Sequence, residues 1–93
     1  VNRYLKWTDK DIVNLKQILG CAVFWTEVDG GGMVLRELGF TENGICNHKV
    51  DLAECSHNAL FDTAVIDLNN SPPSQMSDEE FVHLWENCIP PDL

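Results

Sequence analysis

Three stretches cut this chain more firmly than anything else in it: the triplet Gly30–Gly32 and the proline pairs Pro72-Pro73 and Pro90-Pro91. Consecutive glycines accept backbone angles that other residues avoid, so a helix stops there. Each proline pair removes two backbone donors and fixes two φ angles. Asn69 to Ser74 is therefore expected as a loop, and Pro90 ends whatever precedes it. The 93 residues are read as a single domain, 1–93, whose 44% hydrophobic content suffices for a core. No apolar run reaches the roughly 18 residues of a membrane helix, and no signal-peptide pattern opens the chain. Val1 in place of Met reads as a processed protein or a piece of a larger one.

Between the breaks the apolar residues recur at helical spacing. Thr8 and Asp11 have the form of a capping box. Behind them Ile12, Leu15, Ile18, Leu19, Ala22 and Trp25 predict a helix over about 9–25. Met33–Phe40 is a short apolar stretch, of which Met33–Leu35 suits a tiny strand, and Asn43-Gly44 marks a turn. Asp51 is placed as the N-cap of a helix reaching about Leu68, with Phe61, Ala64, Val65 and Leu68 as its stripe. Ser77 and Glu80 form a second capping box, opening a helix with Phe81, Leu84, Trp85 and Cys88 on one side. The expected fold is all-α, with about four helices.

The two halves also match each other. Ile18, Cys21, Ala22 and Trp25 precede the twelve residues Thr26 to Glu37, and Phe61, Ala64, Val65 and Leu68 precede the twelve residues Asn69 to Glu80 at the same offsets. Position eight of each segment is Met (Met33, Met76), and position twelve is Glu (Glu37, Glu80). This layout resembles an EF-hand pair of the calmodulin and myosin-light-chain kind, with units at about 8–44 and 51–89 and a two-stranded link between the loops. The resemblance extends over residues 7–89. It implies calcium loops with oxygen ligands at positions one, three, five and twelve.

The ligand positions depart from that pattern. The first loop places Gly31 at position six but Thr26, Val28 and Gly30 at one, three and five, leaving only Glu37. The second offers Asn69, Ser71, Gln75 (through its carbonyl), Ser77 and Glu80, with Pro73 at position five. Ca²⁺ takes six to eight oxygens, so no cofactor is expected, with Ca²⁺ at the second loop as the alternative. Glu37 and Glu80 then serve the first turns of their helices.

A degenerate EF-hand pair implies a non-catalytic interaction module. Its groove would hold an amphipathic helix of a partner or of the parent protein, with weak or no Ca²⁺ dependence. The groove residues expected are Trp7, Leu15, Leu19, Phe24, Leu38, Phe40, Leu84 and Trp85. The charge points to a basic occupant. Residues 1–50 hold six Lys/Arg and six Asp/Glu, whereas 51–93 hold nine acids and no Lys or Arg, so the whole −9 lies in the second half. Nucleic acid is excluded there, since phosphates need cations opposite them. Two further readings are a calcium-regulated domain using the second loop, and a folded domain trailing an acidic Phe81-x-x-Leu84-Trp85 peptide of the activation-segment type.

An enzyme is not expected: there is no nucleophile elbow, no phosphate loop and no Cys-x-x-Cys. Four cysteines (Cys21, Cys46, Cys55, Cys88) are few for a stapled mini-domain, which favours reduced thiols and an intracellular, cytoplasmic protein, with pairing left open. Cys46, His48, Cys55 and His57 lack the usual zinc spacing.

Overall fold

The computed structural model describes residues 2–12, 14–54, 59–61, 65–69 and 76–89. They build an antiparallel sheet of four strands, β1 (Arg3–Thr8), β2 (Val23–Val28), β3 (Val34–Phe40) and β4 (Cys46–Asp51), in chain order. A five-residue helix α1 (Leu15–Leu19) lies between β1 and β2, and a ten-residue helix α2 (Asp78–Asn87) follows β4 at a distance. None of the described helices is long and apolar enough to cross a membrane.

This overturns the all-α expectation and, with it, the pair of EF-hand-like units. The supposed first calcium loop, 26–37, is the β2–β3 hairpin: Thr26 and Glu37 stand opposite each other in the ladder. The predicted helix 9–25 breaks at Gly20, which takes φ 68°, and its last residues are β2. Thr8 and Asp11 do bond, since the Asp11 carboxylate accepts from Thr8 N at 3.0 Å, but they close a turn (Asp11 N to Thr8 O, 2.9 Å) and not a long helix. The helix predicted over 51–68 is replaced in its described parts by the end of β4, a turn at Asp51–Glu54 and a bridge from Val65 back to Met33. Ala64 lies outside the described residues.

Both faces of the sheet are covered, and the strands read accordingly. Buried Leu5, Phe24, Val28 and Val34 point to one side, where α1 and the segment after β4 bring Leu15, Leu60, Phe61 and Ile66. Tyr4 and Leu38 point to the other side, where α2 brings Phe81, Trp85 and Cys88. A sheet buried on two faces needs no apolar/polar alternation. Its runs Val23–Val28 and Val34–Phe40 are therefore apolar in both phases and imitate a helical stripe.

Two bulges adjust the ladder. Leu35 is the extra residue opposite Glu27–Val28, and Asn47 the extra residue opposite Gly39–Phe40. The second has a use: Asn47 Nδ2 donates to Leu19 O at 3.0 Å and so holds the end of α1. Beneath it Gly39 must lack a side chain, because a Cβ there would collide with Cys21 Sγ and His48 Cβ.

Glu37 is fully buried on the α1 side, where its role is to fasten the segment after β4. Its carboxylate accepts from Leu60 N (2.8 Å) and Phe61 N (2.7 Å) and lies 2.8 Å from His48 Nε2. The opposite face carries a covalent tie. Cys46, at the start of β4, is disulfide-bonded to Cys88, just past α2, with Cα atoms 5.5 Å apart and a sequence separation of 42. Closing a loop of that length stabilises the fold by about 4 kcal/mol in the chain-entropy account.

Two substitutions test this packing. Glu37→Ala leaves two amides and an imidazole without their acceptor, and is expected to lower unfolding free energy by about 3–5 kcal/mol in urea titration. Gly39→Ala is expected to cost about 1–3 kcal/mol through overpacking against Cys21.

Candidate functional site

α2 starts where its capping box puts it. Ser77 Oγ accepts from Glu80 N at 3.2 Å and donates to Glu80 Oε1 at 3.2 Å. Asp78, Glu79 and Glu80 fill the first turn, where carboxylates meet the positive end of the helix dipole. Glu80 therefore serves the helix start.

The inner face of α2 is set by Arg36. Its guanidinium lies 5.0 Å from the Phe81 ring centroid and 4.9 Å from that of Trp85. Glu27, across the ladder, neutralises it through two bonds, Nε to Oε1 at 2.6 Å and Nη2 to Oε2 at 3.0 Å. Tyr4 Oη adds a bond to Glu27 Oε2 at 2.9 Å. Lys49 Nζ stands 4.8 Å from the Trp85 ring and donates to Cys88 O at 3.2 Å. Burial by itself would raise the Glu27 carboxyl, but the hydrogen bonds from Arg36 and Tyr4 and the Arg36 charge outweigh it and hold the group below its ordinary value. Burial first, then the bond to Glu27, raises the Tyr4 hydroxyl.

The outer face is different in kind. Asp78, Glu79, Val82, His83 and Glu86 line a shallow groove of about 330 Å³ on the solvent side of the helix. Val82 is exposed among these polar groups. The five lining residues include three acids and no Lys or Arg.

The residues expected to form one groove are divided by the sheet. Trp7, Leu15, Leu19 and Phe24 belong to the α1 side, where Leu15 and Phe24 are fully buried and the Trp7 and Phe61 rings meet at a tilt, with centroids 5.1 Å apart. Leu38, Phe40, Leu84 and Trp85 belong to the α2 side, and Leu38 is fully buried. The calcium ligands are scattered too. Glu37 is buried on the α1 side, Ser77 and Glu80 cap α2, and Asn69 is exposed with its N–H on Asp67 Oδ1. Ser71 and Gln75 lie outside the described residues. Among the described residues no group of three or more His, Cys, Asp or Glu is placed to hold a metal ion.

One arrangement that sequence reasoning missed has the outline of a thiol site: Cys21 and His48 both border Gly39, and His48 is paired with Glu37. Cys21 is fully buried and donates a hydrogen bond to Asn47 Oδ1 at 3.1 Å. Burial pushes its thiol up to about 11, against a smaller downward pull from Asn47. A buried thiol that keeps its proton is no nucleophile at neutral pH. Nothing in the linear spacing of these residues signals the cluster, since a strand pairing and a bulge bring it together.

The fold and its two layers define a small antiparallel-sheet domain with a C-terminal helix tied across one face. Neither a family model, nor a curated protein, nor a solved structure matches the chain.

The Glu27 cluster predicts an acid limb. A carboxyl lowered on folding contributes stability that is present above its unfolded value and lost as pH falls through its folded one. Unfolding free energy is expected to decline as pH drops below about 4.5, the ordinary glutamate value, and Glu27→Gln to flatten that decline in a pH series of urea titrations.

Proposed function

We propose that this is a non-catalytic protein-interaction domain that receives a basic segment of a partner along the outer face of α2. The observation that carries the reading is the composition of that face: carboxylates of Asp78, Glu79 and Glu86 around exposed Val82 and beside His83, with no Lys or Arg among the groove residues. Such a surface attracts a cationic segment and speeds its approach, while a small apolar contact fixes its position. An amphipathic helix bearing Lys or Arg on one side is the occupant that fits.

Three observations support the remaining parts of this reading. The inert Cys21 supports a non-catalytic role, because among the described residues it is the free thiol, and burial keeps it protonated. The packing of Phe81 and Trp85 around Arg36 weighs against a freely trailing activation-type peptide. The Cys46–Cys88 bridge supports an oxidising compartment in place of the reducing cytoplasm expected from the cysteine count.

The test is a titration with a Lys-rich amphipathic helical peptide, followed by calorimetry at low and high salt. Binding is expected, weakening as salt screens the charges. Glu79→Gln with Glu86→Gln is expected to weaken it roughly two- to tenfold while α2 keeps its helicity. An absence of binding, or binding indifferent to both salt and these changes, would overturn the reading.

A further inference from the structure

We propose that the Cys46–Cys88 bridge is a reversible latch, and that its reduction by a dithiol frees α2 from the sheet while the four strands stay paired. The inference stands on observations separate from the acidic outer face.

The first is how α2 is held. Upstream, Met76 N donates to Tyr4 O at 3.3 Å. Downstream, Lys49 Nζ donates to Cys88 O, and the disulfide joins the same residue to β4. Between these ends the contacts are side-chain packing: Phe81 on Tyr4 with centroids 4.8 Å apart, the two aromatic rings at Arg36, Trp85 at Lys49, and Leu84 in the same apolar cluster. The bridge is thus the one covalent hold at the far end of a helix otherwise kept by the packing of Phe81, Leu84 and Trp85 and by two cations, Arg36 and Lys49.

The second is what does not depend on α2. The strand ladder runs β1-β2-β3-β4 without it. The core around Leu5, Leu15, Phe24 and Val28, and the Glu37 fastening, all lie on the opposite face. Loss of α2 leaves that half of the domain intact.

The third is access. Cys46 is partly exposed, whereas Cys88 is 3% exposed. A thiolate of the dithiol attacks Cys46 Sγ, forms a mixed disulfide and expels the Cys88 thiolate, which takes up a proton. The second thiol of the reagent then attacks the reagent sulfur, closes the reagent's own disulfide and releases Cys46 as a thiol. Two electrons and two protons pass to the protein, and the dithiol is oxidised.

Release exchanges one surface for two. The sheet bares Tyr4, Trp25 and Leu38 beside Arg36 and Lys49. The freed segment carries Phe81, Leu84 and Trp85 among Asp78, Glu79, Glu80 and Glu86, the make-up of an acidic helix-in-groove ligand.

Hydrogen exchange read by mass spectrometry on the full chain, with and without dithiothreitol, tests the latch. Amides of α2 are expected to exchange at least about a hundredfold faster after reduction, with strand amides changed only a few-fold and slow exchange restored on reoxidation. The double variant Cys46→Ser/Cys88→Ser is expected to behave as the reduced protein does. Either of two results would overturn the proposal: α2 exchange that rises less than about tenfold, or strand exchange that accelerates as much as that of α2. Failure to regain slow exchange on reoxidation would also overturn it.

Discussion

Two neighbouring residues of β3, Arg36 and Glu37, hold the domain's two outer layers. Successive side chains on a strand point to opposite faces, so the pair sends a cation one way and a carboxylate the other. Arg36, neutralised by Glu27, lies beneath the aromatic rings of α2. Glu37 accepts the amides of Leu60 and Phe61 and fastens the segment that follows β4. Glu37 is buried with both carboxylate oxygens bonded, Arg36 is largely buried against its counter-ion, and the described residues contain no buried side-chain polar atom without a partner.

That arrangement also separates structure from surface chemistry. Of the polar groups with the most specific geometry, Glu27, Glu37 and His48 are buried and Arg36 largely so, and each is hydrogen-bonded. The groups left facing solvent on α2 are mostly simple carboxylates, with His83 and Asn87 among them. Recognition by such a surface rests on charge and on a little apolar contact, which suits a mobile basic segment better than a small molecule needing an enclosed pocket.

The sequence was legible where bonding is local. Ser77 and Glu80 cap α2 reciprocally as their spacing implies, Gly44 takes the positive φ (79°) that Asn43-Gly44 suggests, and Phe81, Leu84 and Trp85 do share the inner face. It misled where burial is two-sided. Val23–Val28 and Val34–Phe40 lack alternation because both faces are covered, and apolar residues in both phases match a helical stripe as well as a strand. The twelve-residue spacing to Glu37 was a coincidence of hairpin length. The candidate site suffered the same way: eight apolar residues assigned to one groove fall on two faces, because linear order says nothing about which side of a sheet a residue takes. The Cys46–Cys88 partnership, 42 residues apart, left no trace in spacing.

The position of Cys21 has a consequence for how the chain matures. It is walled in on the α1 side of the sheet, while Cys46 and Cys88 meet on the α2 side. Because each strand pairs with its sequence neighbour, the sheet can assemble by successive hairpins before α2 arrives. Once it has, a layer of backbone stands between Cys21 and the thiols of Cys46 and Cys88. The sheet then acts as a partition during oxidation, keeping an incoming Cys88 away from Cys21.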